Sequence, residues 1–172
     1  MGGGRSQKSL PQVGRGLLAG FFSTILMTAA MVVGRFQWNA PFLPELMAEA
    51  LFAIVPMSLF TFSIRLLGRA AKWTTFGGAL AAQLLIGTAL GGLFGLGIER
   101  RAVQRLLRAA LLYVLGLWAL TAVVVLPALG AGAFGGLLPP GPLLVSAALL
   151  GDYLIYGLSL AWIYAGLKRG GK

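Results

Sequence analysis

The stretch FGGALAAQLLIGTALGGLFGLGI, residues 76–98, decides the fold. It carries no charged side chain over the length of about 20 residues that a helix needs to cross a bilayer. Within it Gly87, Gly91 and Gly95 recur at every fourth position, with Gly92 beside the second, so three glycines share one helix face. In lipid, such a bare face is where another helix backbone approaches closely. Its partner is either another span of this chain or a separate subunit.

Working outward, three further runs have the same character, giving spans at 17–34, 76–98, 109–129 and 143–167. The first is long for a signal-peptide core and is followed by Arg35, Phe36 and Trp38, which suits a retained span. Residues 1–13 read as a mobile basic tail with Arg5 and Lys8, 14–167 as a single membrane domain, and 168–172 as a second basic tail. Composition agrees: of 172 residues, 58% are hydrophobic and only 10% charged, against about 25% charged in soluble domains. Mean hydropathy is +0.88. Between the second and third spans, Gln104, Arg105 and Arg108 fall at helical spacing, which predicts a short amphipathic turn on the membrane surface.

Segment 44–73 is the ambiguous one. Pro56 interrupts its apolar run, and after it Ser58, Thr61, Arg65, Arg69 and Lys72 form one polar stripe along a helix. Such a helix lies in the interface, with Arg65, Arg69 and Lys72 facing lipid headgroups or a soluble partner. Pro44 and Glu45 suit a helix start, with Glu49 one turn on. Charge placement favours interfacial helices over 44–72 rather than a fifth span. With four spans, Arg5, Lys8, Arg15, Arg100, Arg101, Arg105, Arg108, Lys168, Arg169 and Lys172 are cytoplasmic, ten of the 14 basic residues. A fifth span would leave only Arg5, Lys8, Arg15, Arg65, Arg69 and Lys72 inside. The expected fold is therefore all-α: a polytopic membrane bundle of four transmembrane helices plus an outer-surface amphipathic helical hairpin.

Residue types limit the chemistry. With no Cys and no His, thiolate zinc, iron–sulfur clusters, His-ligated haem and imidazole-based triads are excluded. Glu45 and Glu49 lack a third ligand, so no metal site is expected; they read as a solvated helix start. Nucleic-acid binding is not expected either, because the excess of 14 basic over 4 acidic residues sits at span edges, where anionic lipid and topology explain it. Asp152 is the exception. It is the one acidic residue inside an apolar span, and carboxylates at membrane depth are functional candidates by default. Tyr156 and Gln83, or the hydroxyls of Ser23, Thr24 and Thr28, are its expected partners; proton, cation or partner-subunit pairing are the functional alternatives.

The runs FLPELMAEALFAIVP (42–56) and RLLGRAAKWTTFGGALAAQLLIGTALGGLFG (65–95) resemble the amino-terminal membrane region of bacterial molybdopterin-dependent, sulfite-oxidase-like oxidoreductases. LPALGAGAFGGLLPPGP (126–142), followed by a span with Tyr156-Gly157, is similar too. In that family the hydrophobic region precedes a soluble molybdenum-cofactor domain. This sequence holds neither such a domain nor a Cys to ligate molybdenum, and it places Asp152 where a His would be expected. The resemblance therefore implies a stand-alone membrane module and transfers no catalytic residue. It points to a multi-pass protein of the bacterial cytoplasmic membrane, with both termini cytoplasmic, packing with protein subunits of a redox or electron-transfer complex. A lipid or quinone in the bundle stays open. A small-molecule, lipid or ion binding or transport protein using a cleft around Asp152 is the alternative.

Overall fold

The computed structural model describes residues 12–38, 40, 42–54, 68, 70–98 and 103–169. These form helices and loops, with no strand among them. Helix α1 spans Gln12–Trp38, α2 Leu43–Ile54, α3 Ala70–Gly97, α4 Val103–Leu120 with a continuation to Ala128, and α5 Pro142–Arg169. Four stretches are long and apolar enough to cross a membrane: Gln12–Trp38, Thr74–Gly97, Leu106–Ala128 and Pro142–Arg169. The chain is a polytopic helical membrane protein.

The spans sort their residues as lipid demands. On α1 the buried face is Gly16, Ala19, Gly20, Ser23 and Thr24, all small, followed by Met27 and Met31, at steps of three and four. Phe21, Phe22, Ile25, Leu26 and Val33 point outward. Lipid tails are as apolar as Leu, so large side chains gain nothing from facing inward, and close backbone approach decides the interface. Helix α1 is the central strut, packed along both α3 and α5, while α4 packs on α5.

Helix α4 does not stop at its proline. Pro127 has no N–H, and its ring would strike the carbonyl four residues back. Thr121–Val125 answer by widening into a π turn, in which the Leu126 N–H bonds to the Thr121 carbonyl, five residues back. The helix then runs on through Leu126–Ala128. In the connection to α5, Gly130, Gly132, Gly135 and Gly141 take positive φ. Gly135 is the tightest, because a Cβ there would drive into the Val145 side chain. Phe134, at φ 56°, is the one described non-glycine residue in the left-handed region, its ring 6.2 Å from that of Trp118.

Of the expected hairpin, the described residues include one helix, α2. Helix α2 starts at Leu43, with Glu45 in its first turn, and packs on α3, where the Phe42 and Phe76 rings are 5.9 Å apart. Arg65 and Arg69 lie outside the described residues, as does the Lys72 side chain. Helix α3 begins at Ala70 and takes Lys72 into its first turn, and its membrane-crossing stretch starts at Thr74. The amphipathic turn expected before the third span is likewise the start of α4 itself, which begins at Val103.

Candidate functional site

The three glycines of α3 meet α1. A Cβ on Gly95 would stand 2.9 Å from the Gln12 carbonyl oxygen and 3.1 Å from Gly16 Cα, and one on Gly91 would strike Gly20 Cα. A Cβ on Gly87 would collide with Thr24. The opposite side of the seam is equally bare: a Cβ on Gly16 would reach 2.5 Å from the Gly91 oxygen. Gly16-x3-Gly20 is thus the second half of the contact, and the sequence reading passed over it. Its signal is the same small residue at four-residue spacing. Gly157 was missed as well; a Cβ there would lie 2.6 Å from Val114 Cγ1, so α5 and α4 also touch through a glycine.

Above the seam, polar side chains stitch the helices. The Tyr156 hydroxyl on α5 donates to the Gly87 carbonyl on α3 at 2.7 Å. From α4, Tyr113 donates to the Leu90 carbonyl at 2.9 Å and Trp118 Nε1–H to the Ser146 carbonyl at 3.1 Å. Thr121 Oγ1 and the Tyr153 hydroxyl share a hydrogen bond of 2.5 Å. Gln83 on α3 reaches α1, donating from Nε2 to Thr28 Oγ1 at 3.0 Å and toward Met31 Sδ at 3.6 Å.

Asp152 is buried on the core face of α5, one turn before Tyr156. None of the five groups expected to hold its carboxylate does so. Tyr156 and Gln83 are committed as above, Thr24 donates to the Gly20 carbonyl, and Thr28 to the Thr24 carbonyl. Ser23 Oγ, also buried, has no partner among the described residues. The hydroxyls choose the carbonyl four residues back because it is always in reach of a helical Thr.

Between α1, α2, α3 and α5 lies a cavity of about 70 Å³, lined by Thr24, Met47, Gln83, Tyr153 and Tyr156 among others. Gln83 Oε1 is buried and without a hydrogen-bond partner among the described residues. By volume the cavity suits a few water molecules and is too small for a ring-sized ligand, since an engineered cavity of about 150 Å³ is what accommodates benzene. Elsewhere, Glu45 pairs with Arg35 at 3.1 Å, tying the last turn of α1 to the first of α2. No group of three potential metal ligands occurs among the described residues.

Comparison with protein-family models, with curated proteins and with solved structures returns no significant match. The class is set by the fold alone, and the role has to be argued from the site.

Proposed function

We propose that the chain is a non-catalytic membrane subunit or anchor that packs with, or recruits, a larger redox or electron-transfer assembly in the bacterial cytoplasmic membrane. The observation that carries this reading is the α1–α3 seam. Two glycine-lined helices in backbone contact from Gln12 to Thr24 leave no lumen between them. Beside the seam Tyr156, Tyr113 and Gln83 each donate to a neighbouring helix, which is scaffold chemistry. The redox partner itself rests on the resemblance of residues 42–56, 65–95 and 126–142 to the membrane region of the molybdopterin-dependent oxidoreductases. Extraction in mild detergent followed by mass spectrometry tests it: oxidoreductase polypeptides should co-purify in fixed ratio, and a chain that elutes alone from native membranes rejects it.

One observation favours the second reading, a small-molecule or ion binding or transport protein. A buried carboxylate on α5 lies at membrane depth, and a buried amide oxygen on α3 has no hydrogen-bond partner among the described residues. Liposomes containing the purified chain alone should then show binding or flux that depends on Asp152.

A further inference from the structure

A cleft of about 670 Å³ opens between the start of α4 and the end of α5, against lipid. Leu107, Leu158 and Trp162 line it, and the lining residue with a charge is Arg169, the last residue of α5. Leu158 and Arg169 are separated by about 16 Å along a helix rising 1.5 Å per residue. That is the depth of one leaflet, about half of a 30 Å hydrocarbon core. Gly166 lines the cleft, and a Cβ there would meet nothing within 4 Å.

We propose that this cleft binds an anionic phospholipid, with one acyl chain against Leu107, Leu158, Trp162 and Gly166 and the phosphate on Arg169. An apolar trough one leaflet deep, ending in an exposed guanidinium, complements an amphiphile with an anionic head. A transmembrane helix from another protein would fill the trough but would need its own acidic residue at the level of Arg169.

The full chain, reconstituted in nanodiscs of equimolar phosphatidylglycerol and phosphatidylcholine and released for native mass spectrometry, tests this directly. The wild type should retain phosphatidylglycerol about fivefold over phosphatidylcholine, the ratio corresponding to ~1 kcal/mol for one interfacial cation. Arg169→Gln should bring the ratio close to one, and its exposed position puts folding at no risk. Gly166→Phe should fill the trough and remove retained lipid of both kinds while the elution profile stays unchanged. Equal retention of both lipids by the wild type, an unchanged ratio in Arg169→Gln, or retained lipid in a folded Gly166→Phe would each overturn the proposal. So would a lipid-free dimer whose contact Gly166→Phe abolishes, which would assign the cleft to a second copy.

Discussion

Gly20 on α1 and Gly91 on α3 meet backbone to backbone: a Cβ built on Gly20 would stand 2.8 Å from Gly91 Cα. Nothing between the two helices can yield, because the atom in the way is main chain rather than the end of a flexible side chain. Gly20→Leu and Gly91→Leu should therefore each destabilise the bundle by about 1–3 kcal/mol or more. The double variant should cost less than the sum, since the first substitution already separates the helices. Gly116→Leu is the control, as a Cβ at Gly116 meets nothing within 4 Å. Unfolding in mixed micelles reads all four; a Gly91→Leu as stable as wild type would contradict the seam.

That the chain is a four-span bundle was legible because lipid imposes a length and an apolarity that few other contexts demand. Gly87, Gly91 and Gly95 were legible as a contact face for the same reason. Which helix they meet was not, since glycine spacing marks a contact face without naming its partner, and the matching pair Gly16 and Gly20 straddles the start of the span at 17–34. The depth of Asp152 followed from its neighbours, but its partners did not. Helical Thr24 and Thr28 close onto their own backbone, a local competition that spacing between spans does not reveal. The π turn before Pro127 was equally hidden, because sequence marks a break without saying how the chain absorbs it.

The Tyr156 hydroxyl bond to Gly87 should be worth little by itself. The acceptor is a helix carbonyl that keeps its own backbone donor, and side-chain hydrogen bonds between membrane helices average about 0.6 kcal/mol. Tyr156→Phe is expected to cost ~1 kcal/mol or less in the same unfolding assay. Tyr156→Ala, which also empties space beside the cavity, should cost about 3–5 kcal/mol. Equal losses in the two would mean that the hydroxyl, not the ring, holds α5 to α3.

Arg35 and Glu45 form a 3.1 Å ion pair, with side chains 39% and 42% exposed. At that exposure water and salt screen most of the attraction, so a double-mutant cycle with Arg35→Gln and Glu45→Gln should give a coupling of about 0.2–1 kcal/mol. The coupling should fall further when salt is raised. A coupling of several kcal/mol would mean that the pair is far less hydrated in the bilayer than its exposure implies.

The placement of basic residues predicts cytoplasmic termini, and the absence of Cys from the sequence makes that expectation directly measurable. Single Cys substitutions at Gly132 and Gly136 should react with an impermeant thiol reagent added outside intact cells. A Cys in place of Lys172, at the carboxy-terminal end, should react only after permeabilisation. Outside labelling at the carboxy-terminal end would reverse the assignment of both termini to the cytoplasm.

Asp152 separates the two functional readings. Its carboxylate is buried on α5, and the side chains of Gln83, Tyr156, Thr24 and Thr28 all direct their hydrogen bonds elsewhere. Removing it therefore strands none of those donors. For a scaffold, Asp152→Asn should fold and assemble as wild type, because Asn keeps the size and relieves the cost of a charge at membrane depth. Asp152→Leu should fold as well, losing no more than about 1 kcal/mol, since an apolar side chain removes a polar group that depends on compensation. For a protein that exchanges a proton or holds a cation, Asn should preserve folding and abolish flux in liposomes of the purified chain. Thermal unfolding, co-purification and flux measured on both variants decide the matter. A folded, assembled Asp152→Asn that has lost a flux shown by the wild type would replace the scaffold with a transporter.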